Sequence, residues 1–120
     1  NYLGEVPYKD LIQYYKNADA FIFASSCENM PNTLLEAMSS GLPIACSISN
    51  PMPEFLGEHG YYFDPEQVEN ISTALGKLLL EPQQRMKNAK EAQLKAQDYN
   101  WKRCAQETMD YLWSIKANIE

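Results

Sequence analysis

At 120 residues the chain is long enough for one domain and too short for two, and 45% hydrophobic with 22% charged residues is the balance of a soluble globular protein. A formal net charge of −6 with ten scattered basic residues argues against a nucleic-acid partner, which is bound by clustered Lys and Arg; the densest group, Arg85, Lys87 and Lys90, reads as the wet face of a helix. No run of about 18 apolar residues is present to span a membrane, and no basic start leads into an apolar core as a secretory signal would.

The chain opens without an initiator Met, at Asn1-Tyr2-Leu3-Gly4-Glu5-Val6, as if a strand had been entered midway, and is expected to be part of a longer protein. Tyr2-Leu3-Gly4 reads as a strand remnant running into a turn at Glu5-Val6-Pro7. Leu11, Ile12, Tyr14 and Tyr15 recur at helical spacing, which predicts a helix over Tyr8 to Asn17. Ala20-Phe21-Ile22-Phe23-Ala24 is an unbroken apolar run, expected as a parallel-sheet strand covered on both faces. The polar loop Ser25 to Met30 follows. The next helix is predicted from about Pro31, at its first position, to Ser40, with Leu34, Leu35 and Met38 inward and Gly41 as its stop.

Pro43 to Ile48 is a second buried strand, and Ser49 to Gly60 an irregular loop with one helical turn at Pro53 to Leu56. Tyr61-Tyr62-Phe63 is a third strand. Asp64 then reads as an N-cap, with Pro65 at the first helical position and Gln67 completing a capping box. Val68, Ile71, Leu75, Leu78 and Leu79 make one apolar face up to Leu80. Pro82 begins a polar helix ending near Asp98, and a C-terminal helix is expected within residues 99–120, with Cys104, Thr108, Tyr111 and Leu112 on one side. Strands alternating with helices predict an α/β domain with a Rossmann-like parallel sheet flanked by helices. Three or four strands make a thin sheet, so the chain is expected to be a single partial domain over residues 1–120.

Glu28 and Glu36 bracket Asn29-Met30-Pro31-Asn32-Thr33-Leu34-Leu35. A carboxylate accepts two hydrogen bonds side by side, as neighbouring hydroxyls offer them. Between the two acids lies the start of a helix, whose unpaired N–H groups and positive dipole end suit a phosphate. In open α/β sheets ligands bind outside the carboxyl ends of the strands, where the Ser25 to Met30 loop falls. The order of diol acceptor, phosphate cradle and diol acceptor fits a sugar joined through a diphosphate to a ribose. The N–H groups of Asn32, Thr33 and Leu34 would hold the phosphates. Two plainer readings stand beside this one: Glu36 completing a capping box with Thr33, and Glu28 as an ordinary loop acid.

The stretch Phe21-Ile22-Phe23-Ala24-Ser25-Ser26-Cys27-Glu28-Asn29-Met30-Pro31-Asn32-Thr33-Leu34-Leu35-Glu36-Ala37-Met38-Ser39-Ser40-Gly41-Leu42-Pro43 resembles the C-terminal half of the retaining group 1 (family 4) glycosyltransferases of GT-B fold. Their Glu-x7-Glu element sits in a Ser…Glu-x-x-Pro-Asn…Glu-Ala-Met…Gly-x-Pro frame. Gly4-Glu5-Val6, Ala18-Asp19-Ala20-Phe21, Gly60-Tyr61-Tyr62-Phe63-Asp64-Pro65 and Tyr99-Asn100-Trp101 extend the resemblance over nearly the whole chain. It implies that Glu28, in the catalytic position, meets the donor-sugar hydroxyls beside Asn29 and Met30. It gives Glu36 the ribose hydroxyls, Thr33 and Leu34 the diphosphate through their N–H groups, and Gly4 and Val6 a place near the nucleobase. Asn29 stands where many relatives have Gly and is a candidate specificity position.

The resemblance further implies a nucleoside-diphosphate sugar as donor substrate and a hydroxyl acceptor, whether glycan, lipid or small molecule. No cofactor and no protein-held metal is implied. The family's diphosphate-neutralising Arg and Lys, and its acceptor-binding domain, would lie upstream of Asn1, so the chain by itself is expected to be inactive. A cytoplasmic location is expected, with the inner membrane face reachable through the domain not in this chain. Rival readings are a non-catalytic α/β interaction module and a nucleotide-sugar epimerase of the same fold.

Other residues have plain readings. His59 belongs to an exposed turn and Glu54 to a loop brace. Cys27, Cys46 and Cys104 lack metal-ligand spacing and suggest free thiols in a reducing compartment. Tyr2, Tyr8, Tyr14 and Tyr15 include candidates for base stacking, with packing the alternative. Trp101 and Trp113 are expected to anchor the last helix, whose remaining apolar face could drive self-association.

Overall fold

The computed structural model describes residues 1–117. Helix α1 (Tyr8–Asn17) comes first, with the boundaries its apolar spacing predicts. Strand β1 (Phe21–Phe23), helix α2 (Asn32–Ser39), strand β2 (Ile44–Ser47), helix α3 (Met52–Leu56) and strand β3 (Tyr61–Phe63) follow in alternation. Three helices close the chain: α4 (Val68–Leu80), α5 (Pro82–Ala96) and α6 (Trp101–Ala117). The expected end of the last helix at residue 120 lies outside the described residues.

The strands form one parallel sheet in the order β1-β2-β3, with Phe21 opposite Ile44, Phe23 opposite Cys46 and Ala45 opposite Tyr61. Parallel neighbours need a crossover, which α2 and α3 supply. Side chains alternate across the central strand. Ile44 and Cys46 join Leu34, Met38, Met52 and Leu56 in a cluster roofed by α2, α3 and α5. Ala45 joins Tyr61, Phe63 and, from α4, Ala74 and Leu78 in a second cluster. All four residues of β2 are buried, as a strand between two layers requires.

The strand expected over Ala20 to Ala24 is shorter and covered on one face only. Phe21 and Phe23 pack beneath Tyr15, but Ile22 is 52% exposed, because α4 lies over β2 and β3 and leaves the outer face of β1 open. The strand remnant expected at Tyr2-Leu3-Gly4 does not form. These residues are exposed, and β1 has no described strand beside it other than β2 for them to extend.

Gly41 ends α2 as expected, at φ +72. The Gly41 N–H donates to the Met38 carbonyl at 3.0 Å and the Leu42 N–H to Ala37 at 3.3 Å, the paired bonds of a Schellman motif. The start of α4 differs from expectation. Asp64 does not cap it: its Oδ1 accepts from the Glu66 N–H at 3.0 Å and its carbonyl from Gln67 at 3.1 Å, closing a separate turn. The helix begins later, with Gln67 in extended conformation as its first flanking residue and no side-chain cap. Of its expected apolar face, Leu78 is buried and Ile71 and Leu75 half-buried, while Val68 and Leu79 are exposed because the helix rolls Ala74 into the sheet instead.

Helix α6 buries no described side chain. Trp101 and Trp113 are 83% and 60% exposed, so they do not anchor it. Its first turn is organised locally instead: Asn100 Oδ1 accepts from the Arg103 N–H at 2.9 Å, and Arg103 pairs with Glu107 at 2.7 Å.

Candidate functional site

The site forms where β1 hands over to α2. Pro31 takes φ −79 and ψ 70, and the Asn32 N–H donates back to the Met30 carbonyl at 2.9 Å, which is an inverse γ-turn. Pro31 therefore precedes the helix rather than opening it, and its ring is fully buried. Its carbonyl accepts from both Leu34 (3.0 Å) and Leu35 (3.1 Å). Asn32, Leu34 and Leu35 are thus satisfied within the chain. Among the described residues, the Thr33 N–H has no partner at the helix start, nor do those of Glu28, Asn29 and Met30 in the loop. No acid lies in the first turn of α2 to compete with an anion there.

Helical periodicity splits α2 into two faces. Leu34, Ala37 and Met38 are fully buried in the core. Asn32, Glu36 and Ser39 turn the other way and form one wall of an open groove of about 1080 Å³. Leu35, expected inward with Leu34 and Met38, is half-buried at the boundary, packing against the core while also lining the groove. Helices α1 and α6 provide its other walls, with Tyr8 and Trp101 at its sides. Met30 also reaches the groove; Glu28, Asn29, Thr33, Gly4 and Val6 do not line it. The structure thus brings Met30, Asn32 and Glu36 to one surface. Glu28 is half-buried in the loop beyond the carboxyl end of β1, with no hydrogen-bond partner described.

Glu36 is half-buried and is not capping its own helix. Its Oε2 accepts the hydroxyl of Tyr15 at 2.9 Å, across 21 residues of sequence. No cation is paired with it; among the described residues the one ion pair joins Arg103 and Glu107. Burial, then the hydrogen bond and the charge of Glu36, push the Tyr15 hydroxyl above the ordinary tyrosine value, so it stays a protonated donor at neutral pH. The Tyr15 ring lies 6.0 Å from that of Phe21, which stacks in turn on Phe23 at 5.9 Å. Its packing agrees with the plainer reading of this tyrosine, while Tyr2, Tyr8 and Tyr14 are exposed. The helical spacing of Tyr15 in the sequence marks its inward face but not its partner, Glu36.

The remaining candidates sit as ordinary surface or core groups. His59 is half-buried rather than exposed. Glu54 is exposed and its side chain makes no described hydrogen bond, so the expected loop brace does not form; its backbone carbonyl accepts the Lys95 ammonium at 3.0 Å instead. The three cysteines are free thiols, Cys27 and Cys104 exposed and Cys46 buried, where burial pushes its pKa up to about 12. No described helix is long and apolar enough to cross a membrane.

Comparison with known proteins places this geometry in context. The chain is 33% identical over 109 residues to the O-antigen chain mannosyltransferase B of Escherichia coli, spanning 91% of this chain and 29% of that one. It is 31% identical over 106 residues to the sulfoquinovosyl transferase SQD2 of Arabidopsis thaliana, covering 84% of this chain and 21% of that protein. It thus spans less than a third of these curated relatives. Its fold is shared with sucrose-phosphate synthase from Thermosynechococcus elongatus, at a TM-score of 0.85 over 98% of this chain and 30% of that structure, with 21% identity. The parallel sheet flanked by helices is therefore the α/β arrangement of a GT-B domain. The family model for Glycosyl transferases group 1 matches residues 1–95, from the N-terminal segment through nearly all of α5 and leaving α6 outside. That span holds both glutamates and the whole sheet, and on it the chain belongs to the group 1 glycosyl transferases.

Proposed function

We propose that this chain is the donor-binding part of a retaining glycosyltransferase that moves a sugar from a nucleoside diphosphate to a hydroxyl acceptor, in glycan or glycolipid biosynthesis. The observation that carries this reading is the state of Glu36. Its carboxylate lines the groove with one oxygen held by Tyr15 and, among the described residues, no cation paired with it, one turn beyond a helix start that offers the Thr33 N–H. A carboxylate held by one hydrogen bond keeps acceptor positions on both oxygens for a ribose diol, next to an end of positive potential suited to diphosphate. The family membership and the transferase names of the relatives support a sugar nucleotide as the ligand.

In this reading Glu28, at the end of β1, takes the donor-sugar hydroxyls together with Asn29 and Met30, and Glu36 takes the ribose. The protein's contribution is electrostatic: the helix start and loop N–H groups stabilise the departing diphosphate. The helix end supplies about 0.5–2 kcal/mol to an anion, so basic groups from the rest of the protein complete the site. The 120-residue chain by itself is the single partial domain that positions the donor. A cytoplasmic enzyme, with membrane contact through its other domain, fits the lipid and polysaccharide acceptors such a reaction serves.

Calorimetry with uridine, guanosine and adenosine diphosphates tests the binding claim. The isolated chain is expected to bind weakly and transfer nothing, and a micromolar dissociation constant would refute that. In the full-length protein, Glu28→Gln and Glu36→Gln are each expected to lower transfer by at least tenfold; unchanged turnover in either removes that glutamate from the scheme. Sugar released at the same rate with no acceptor present would indicate an epimerase.

A further inference from the structure

Glu36 has two oxygens, and the chain uses one of them. Oε2 receives the Tyr15 hydroxyl at 2.9 Å, while no group among the described residues donates to Oε1. Tyr15 is itself held: its ring packs on Phe21 at 6.0 Å, and Phe21 on Phe23 at 5.9 Å, so the hydroxyl is referred to the sheet and not merely to α1. Tyr15 and Leu11, four residues apart, are the half-buried residues of α1, all its others being exposed. The side chain that docks this helix is thus the one that reaches Glu36.

The chemistry of the donor matters. A Lys or Arg in its place would orient the carboxylate but also pair its charge and occupy several acceptor positions. A phenol donates one hydrogen bond and leaves the negative charge in place. With Oε2 bound, rotation of the carboxyl group is restricted, on a residue that lines the groove. Burial and the neighbouring carboxylate keep the phenol protonated through the neutral range, so the donor does not switch off.

We propose that Tyr15 is a positioning residue for Glu36, holding Oε2 through one of its acceptor positions so that Oε1 and the remaining position on Oε2 accept a sugar-ring diol of the bound nucleotide. This rests on the reading of Glu36 as the ribose acceptor. The effect is on recognition of the ribose hydroxyls and not on the sugar-transfer step.

The test uses the full-length protein and paired probes, a nucleoside diphosphate and its 2′,3′-dideoxy counterpart, compared by dissociation constant. The variants are Tyr15→Phe, which keeps the ring and its stacking, and Glu36→Gln. Tyr15→Phe is expected to reduce the preference for the ribonucleotide roughly tenfold, the scale of one hydrogen bond to a charged group. Affinity for the dideoxy probe should be unchanged, which a merely structural loss would not spare. With the transferase substrates, KM for the donor should rise while kcat holds. Should Glu36→Gln erase the preference while Tyr15→Phe retains it, the positioning role is overturned and the ribose reading stands. A preference untouched by Glu36→Gln would instead overturn the ribose reading, and the positioning role with it.

Discussion

Gln93 and Gly41 meet at the tail of the helix that carries Glu36. The Gln93 side-chain amide donates to the Ser39 carbonyl at 3.1 Å, and a Cβ on Gly41 would stand 3.1 Å from that same nitrogen. Gly41 sits at φ +72, where an L side chain costs about 1–2 kcal/mol. Gly41→Ala is therefore expected to destabilise the chain by about 1–2 kcal/mol before any loss at Gln93 is added. Gly76, inside α4 with open space at its Cβ position, is the control. Gly76→Ala should stabilise by roughly 0.5–1 kcal/mol. Urea denaturation of the two variants measures this, and shifts of the same sign would contradict it.

Leu34 and Thr33 adjoin in the proposed diphosphate region but differ in kind. Leu34 is fully buried and its N–H is already bonded to Pro31, whereas Thr33 is exposed and its N–H has no partner among the described residues. Leu34→Ala is expected to cost about 2–5 kcal/mol of stability, and Thr33→Ala to stay within about 0.5 kcal/mol. Thermal and urea unfolding of the two variants separates them. Comparable losses would mean that the two faces of α2 are wrongly divided.

The elements whose signal is local are legible in the amino-acid sequence. Leu11 and Tyr15 define α1 because helical spacing needs only neighbours four apart, and Gly41 marks the end of α2 because few residues take its φ. The family frame around Glu28 and Glu36 carries the reading of the site, and the family match bears out the family. What stays hidden depends on distant partners. Whether Ile22 is covered depends on where α4, about fifty residues later, comes to rest. The Tyr15–Glu36 bond joins the helices before and after β1. The turn at Pro31 shows the limit within a local motif: proline suits a first helical position and an inverse γ-turn equally, since both use its fixed φ.

Cys46 gives a pH-dependent prediction. Burial raises its pKa from 9.0 to about 12, so the folded state retains a proton that the unfolded state releases. Its contribution to stability is complete below pH 9.0 and is lost as pH rises towards about 12. Cys46→Ala should flatten the fall in stability across that window while lowering its starting value through the cavity created. The thiols offer a second readout. With an aromatic disulfide reagent at about pH 8, Cys27 and Cys104 are expected to react in the native protein and Cys46 only after unfolding. Three fast thiols would contradict the burial.

Both tryptophans lie on α6, at 83% and 60% exposure, so fluorescence reports this helix alone. The isolated chain at low concentration is expected to emit like indole in water and to be readily quenched by acrylamide. Removing residues after Asn100 should leave the far-ultraviolet signature of the remaining helices and their unfolding midpoint nearly unchanged, since α6 buries no described side chain. A large drop in midpoint would show that α6 carries stability its exposure does not suggest.

Helix α2 is gripped at both ends, by the buried ring of Pro31 in front and by Gln93 behind. Between those two grips it also packs along its buried face on α5 and the sheet. On the proposed reading, a nucleotide would meet Thr33 and Glu36 already in register, with little of its binding energy diverted to organising the protein. Under that proposal, selectivity follows from fit to a fixed spacing, and the loop from Ser25 to Met30 is the part left to vary with the sugar.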